Sequence, residues 1–154
     1  MRGFTLVELC SVLVIAGILA AIAGPKFLDT PAFNQRGYTD VLAGVIRSGE
    51  AAAAASGCDV QLTIAPGTGY DAELPTTAAT CSGGYTVPVL QIDGTPLAGT
   101  PPSNADVSTA VVLLLDPRGP VTGAAGITVT GSPSGVTQPL TLQVDSLSGF
   151  VTVP

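Results

Sequence analysis

Histidine and tryptophan are absent from this chain of 154 residues, methionine occurs once, and only 10% of residues are charged. Without histidine there is no Ser–His–Asp triad, no Cys–His dyad and no zinc site with imidazole ligands. Charge is scarce too, against roughly 25% in an ordinary soluble chain. The cations are Arg2, Lys26, Arg36, Arg47 and Arg118, they form no cluster, and the formal charge is −6. Phosphate affinity grows with the number of phosphates neutralised, so an acidic chain with scattered cations is a poor polyanion binder. Nucleic acid is therefore not expected as a partner, and the 36 residues after Arg118 contain no Lys or Arg at all. Length allows one domain of ordinary size.

What the chain does have is a long apolar run at its start, MRGFTLVELCSVLVIAGILAAIAGPKF. Residues 4–23 are apolar enough for a membrane and are interrupted once by an acid, Glu8. As a helix they would span about 30 Å, the thickness of the hydrocarbon core. An ionised group at the centre of such a helix costs about 2.5–3.5 kcal/mol, and somewhat less near an end. An ordinary membrane anchor leaves Glu8 without a purpose. A cleaved secretory signal, with Arg2 as its basic region and Ala21-Ile22-Ala23 before the cut, leaves the acid out of place and the run too long.

Helical signals continue past Pro25. Phe27, Val41, Leu42, Val45 and Ile46 recur near helical spacing, the alanines of 51–55 favour helix, and Gly57 stops it. Pro31 and Gly37 predict a kink or break within DTPAFNQRG. Beyond Gly57 the period falls to two. Candidate strands are 58–64, 85–92, 108–115, 126–130, 139–144 and 149–153, with alternation in Val60/Leu62/Ile64 and Leu140/Leu142/Val144. Pro88 marks an edge strand or a bulge, Asp93-Gly94 a turn, and 65–84 and 93–106 read as loops. The expected fold class is α+β: a long N-terminal helix whose second half packs under one antiparallel sheet.

Sites for chemistry are sparse. Asp71, Glu73, Asp93 and Asp106 could offer oxygens to a cation, but no EF-hand spacing is present, so neither metal nor cofactor is expected. PGTG at 66–69 lacks the lysine of a phosphate loop, and no base is present to activate a hydroxyl. The expectation is a protein that is not an enzyme. Cys58 and Cys81 would pair if the chain reaches an oxidising compartment; otherwise they are buried thiols. Cys10 is a small apolar thiol in an apolar helix.

GFTLVEL followed by the apolar run, with Gly24-Pro25 behind it, resembles the N-terminus of type IV prepilins and type II secretion pseudopilins. LLLDPRGPVTGAAGITVTG and LTLQVDSLSGFVTV resemble the C-terminal strands of H-type minor pseudopilins and FimT-like pilins. In that second match the turn is Asp116-Pro117-Arg118-Gly119 and the late step is Gly149-Phe150. The first helix also resembles subunits of mannose-sensitive haemagglutinin pili.

The resemblance implies a leader at 1–3, a membrane-spanning and filament-core helix at 4–24, its amphipathic continuation at 25–56 and a β-rich head at 57–154. It implies cutting between Gly3 and Phe4 by a prepilin peptidase, methylation of the new amine, and a role for Glu8 in assembly. The carboxylate would meet the N-terminal amine of a neighbour, an attraction strengthened in a low-dielectric bundle. Implied partners are other pilin or pseudopilin subunits, the peptidase, an inner-membrane assembly platform, and membrane lipid before assembly. The chain would sit in a bacterial inner membrane with its head in the periplasm, then in a periplasmic or surface filament. A minor pilin or pseudopilin is the first expectation, a major pilin the alternative, and a DNA-uptake pilin a more distant one.

Overall fold

A computed structural model describes residues 5–23, 30–77, 79–123, 126–131 and 139–153. The chain divides into two compact units, residues 1–30 and 31–154. The first contains α1, Leu6–Ala23, 18 residues long. The second is built on α2, Thr30–Ser56, and, among the described residues, ten strands. The class is α+β. A single long N-terminal helix is not what is described: there are two helices, and residues 24–29 between them lie outside the described residues.

Pro31 falls in the first turn of α2, where its missing N–H has no helical partner to lose. The helix then runs unbroken through Gly37, so that glycine is not the break its sequence predicts. Neighbouring turns outweigh the modest helical penalty of one glycine, about 1 kcal/mol. Gln35, Tyr38, Thr39, Leu42, Val45, Ile46, Gly49 and Ala53 make one buried stripe. Val41, an expected core position, is 46% exposed at the margin of that stripe. A Cβ on Gly49 would lie 2.5 Å from Leu115 Cδ1, so any larger residue here would have to displace that side chain in the core.

The strands form two antiparallel sheets where one was expected. Sheet 1 runs β3-β2-β1-β6-β7, with β4 also paired to β2; sheet 2 runs β10-β9-β8-β5. In sheet 1, β1 is Val60–Ala65, β2 Gly69–Thr77, β3 Ser82–Pro88, β4 Ala98–Gly99, β6 Val111–Leu115 and β7 Val121–Thr122. In sheet 2, β5 is Ala105–Val107, β8 Gly126–Gly131, β9 Leu140–Val144 and β10 Val151–Thr152. Val60, Leu62 and Ile64 of β1, with Leu113 and Leu115 of β6, join Ile127, Val129 and Leu142 from sheet 2 and the α2 stripe in one core. The Gln35 amide of α2 donates to the Val129 carbonyl of β8 at 3.0 Å, tying the helix to the second sheet.

Strand β2 corrects the sequence reading, which leaves 65–84 as a loop. Its residues are GYDAELPTT, and of its side chains only those of Ala72 and Pro75 are buried, so no apolar alternation announces it. Backbone pairing on both flanks makes it a strand nonetheless, to β1 and to β3. The strand expected at 85–92 ends at Pro88, whose ring cannot donate to a ladder, and the resulting β3 lies at the sheet edge, almost wholly exposed. Gln91 to Thr95 then closes a tight turn with Gly94 at φ +82°, as Asp93-Gly94 predicts.

Among the described residues, two buried side-chain oxygens find no hydrogen-bond partner, Tyr38 Oη and Glu50 Oε1. Burial, then the charges of Asp106 and Tyr70, push the Tyr38 hydroxyl up to about 12. Glu50 packs against Gly149, and burial raises its carboxyl above the ordinary range while the Arg47 guanidinium pulls the other way. A carboxyl that binds its proton more tightly folded than unfolded weakens the fold once ionised. The penalty appears as pH rises through the unfolded value and is complete above the folded one. Glu50→Gln is therefore expected to raise the melting temperature at pH 7 and to change it little below about pH 4, where the unfolded carboxyl is also protonated. Thermal melts of both proteins across that range check it.

Candidate assembly site

Helix α1 is apolar all round. Leu6, Val7, Leu9, Val12, Leu13, Val14, Ile15, Ile18 and Leu19 are each more than half exposed. A soluble helix hides one stripe; a helix with no polar face has to be covered on every side by lipid or by other chains. At 1.5 Å per residue, α1 is about 27 Å long. Among the described residues no helix is long and apolar enough to cross a membrane.

Glu8 is the acid in the first turn of α1 and is exposed. The helix dipole favours a carboxylate at that end. Its backbone N–H donates to Thr5 Oγ1 at 3.3 Å, the Leu9 N–H donates to the Thr5 carbonyl at 3.2 Å, and Ser11 Oγ donates to the Glu8 carbonyl at 2.9 Å. Thr5 is thus the N-cap and Glu8 the third residue after it, the spacing of a capping box. T-x-x-E carries the signal for this local role, which the cost of a buried acid overshadows in the sequence. Gly3 and Phe4 lie outside the described residues.

Cys58, just beyond α2, and Cys81, where β2 turns into β3, are joined in a disulfide with Cα atoms 5.2 Å apart. Cys58 is buried and Cys81 exposed, the latter at φ +49°. Cys10, which the sequence places among packed apolar side chains, is exposed in this chain alone.

Asp106, on β5, and Asp93, in its turn, each accept hydrogen bonds from the protein. Asp106 accepts from the Gly67 and Val107 N–H groups at 2.7 and 2.8 Å. Asp93 accepts from the Thr95 hydroxyl at 2.7 Å and its N–H at 3.0 Å, bonds that hold its carboxyl below the usual range. Among the described residues no three acids or thiols gather as a metal site would need.

The two late turns that carry the second resemblance meet at Gly149, where an added Cβ would lie 3.0 Å from the Gly119 carbonyl oxygen and against the Glu50 carboxylate. Asp116 closes the first, accepting from the Arg118 N–H at 2.7 Å, with Gly119 at φ +103°. Asp145 closes the second, accepting from Leu147, Ser148 and the Ser148 hydroxyl, with Gly149 at φ +70°. The Val121 N–H donates to the Ser146 carbonyl at 3.0 Å and so joins sheet 1 to the second turn. A feature no local pattern announces is an apolar groove of about 580 Å³ between Ser48, Ala51 and Ala52 of α2 and Leu90, Ile92 and Leu97.

No family model matches this chain, and no solved structure does. Among curated proteins, the type IV narrow pilus major component PilA5 of Thermus thermophilus is 46% identical over 52 residues. That stretch takes in 34% of this chain and 45% of the relative, so the match spans less than half of the relative's length. Over that stretch the chain is a partial homologue of a type IV pilin.

Proposed function

We propose that this chain is a structural subunit of a type IV pilus or type II secretion pseudopilus, not an enzyme. The observation that carries the reading is an all-round apolar helix with one carboxylate in its first turn. Such a helix is stable in lipid before assembly and among other helices afterwards. The carboxylate is unfavourable in either place until a cation meets it. In this reading a prepilin peptidase cuts after Gly3, Phe4 becomes a methylated N-terminus, and that amine on one subunit meets Glu8 of the next. Residues 4–24 form the anchor and filament core, 25–56 the continuation, and 57–154 the head, held in part by Cys58–Cys81. An assembly platform in the inner membrane would draw subunits from the bilayer into a periplasmic or surface filament.

Within that reading two places compete. The C-terminal turns favour an H-type minor subunit. The name of the Thermus relative, a major component, favours the major one. Filaments from the native host should contain the chain with Phe4 as its first, methylated residue, measured by intact mass and N-terminal sequencing. A start at Gly24, or an unprocessed Met1, refutes the reading.

A further inference from the structure

Two of the three cations among the described residues share one face of α2, and the pattern fits a second copy. Arg36, Asp40 and Arg47 are exposed on α2 at spacings that place them along one stripe away from the core. The two arginines are about 16 Å apart along the helix axis. Arg47 also reaches the Val151 carbonyl at 3.5 Å, a long contact that uses one of the several N–H groups of its guanidinium. Gly37 and Gly44 beside the stripe have nothing within 4 Å of an added Cβ, so this side of the helix is low and open.

The outer face of sheet 1 has the opposite character. Asp59, Gln61 and Thr63 alternate with the buried Val60, Leu62 and Ile64. Gln61 pairs with Glu73 and Thr63 with Asp71, which places two carboxylates on this face, and the exposed Asp59 just ahead of β1 stands two residues before Gln61. On the other flank Gln61 and Thr63 pair with Leu114 and Val112, the latter 46% exposed. Asp59 and Asp71 are about 14 Å apart, from strand rise and spacing. Of the three cations among the described residues, two lie on the α2 stripe and none on this surface; the third, Arg118, sits in the turn after β6.

We propose that the outward stripe of α2 in one copy docks on the outer face of sheet 1 in the next, Arg36 and Arg47 against Asp59, Asp71 and Glu73. This rests on the filament reading and adds the contact that sets the register of the heads. Copies carrying a formal charge of −6 repel one another unless their few cations are directed at carboxylates. The two surfaces differ, so the contact is head-to-tail, the kind that a filament repeats. On the sheet, the half-exposed Val112 opposite Thr63 gives the charged pairs an apolar neighbour.

The test uses the full chain in its native host, with filament content measured after shearing. Arg36→Glu with Arg47→Gln is expected to lower incorporation at least tenfold, and Asp71→Lys with Glu73→Lys to do the same. All four changes together should recover it to within about threefold, while Arg118→Glu leaves it unchanged. In a separate Arg36→Lys protein, which keeps the charge and supplies a reactive amine, a zero-length carbodiimide should join position 36 to Asp71 or Glu73 of another copy. One-sided variants that assemble at the wild-type level, a four-fold variant no better than either, or a crosslink to a different subunit overturns the contact. A wild-type chain absent from every filament fraction refutes the filament reading, and this contact with it.

Discussion

Glu8→Ala is expected to lower incorporation into filaments at least tenfold while leaving cleavage after Gly3 unchanged and membrane insertion intact. Tenfold corresponds to about 1.4 kcal/mol. That is a modest demand on a carboxylate–amine pair, for which an effective dielectric of about 20 at 4 Å gives about 4 kcal/mol before desolvation. Insertion of the single chain should become slightly easier, because the acid is a cost until its partner arrives. Alanine alone does not isolate the charge, however, since Glu8 is also the third residue after the Thr5 cap. Glu8→Gln separates the two roles. Glutamine keeps an oxygen able to close a capping box and carries no charge. If intersubunit pairing is the function, glutamine and alanine fail alike. If the helix start is what matters, glutamine assembles like wild type and the pairing mechanism falls. Quantifying the subunit in sheared filaments against total cellular protein measures all three.

Removing the Cys58–Cys81 bridge is expected to destabilise the head by roughly 3–4 kcal/mol in the chain-entropy model. For a unit of this size that is on the order of 10 °C in melting temperature. The bridge spans 23 residues and encloses β2. β3, which follows Cys81, is exposed along its length and rests on β2 alone, through a pairing with two register shifts. Opening should therefore begin there. The Cys58→Ser, Cys81→Ser double variant, compared with oxidised wild type by thermal melts and amide exchange, should show protection lost first in 69–88 and later in β1 and β6. An unchanged melting temperature, or uniform loss of protection, refutes this account. Both cysteines must be changed together, because a single change leaves a thiol able to capture Cys10 of another chain.

Much of the candidate site was legible because it depends on residues close together in sequence. An unbroken apolar run with one acid is visible without a structure, and so is the local helix start at Thr5, although the larger question of the buried charge overshadows it. Asp93-Gly94 announces a turn, and the resemblance places one at Asp116-Pro117-Arg118-Gly119, because Asp side chains and glycine at positive φ act within a few residues. The charge stripe on α2 was not legible as a surface. Its meaning depends on which carboxylates share a sheet face, and that depends on register.

The sequence by itself determined the periods: 3.6 along Leu42, Val45 and Ile46, and two along Val60, Leu62 and Ile64. Those periods follow from backbone geometry and from which side chains leave water, so they are local properties. Tertiary structure decided what pairs with what. β1 takes β6 as a neighbour from far along the chain, β8 sits between β5 and β9, and the strands separate into two sheets around one helix. It also decided that β2 is a strand at all. Asp71, Glu73 and Pro75 carry little strand signal, and the conformation is set by neighbours that satisfy the backbone on both sides. Burial of the Glu50 carboxylate belongs to the same class, since it lies against Gly149, in a turn distant in sequence. Hydrogen-bond partners and enclosing walls are supplied by the whole fold, and no window of neighbouring residues contains them.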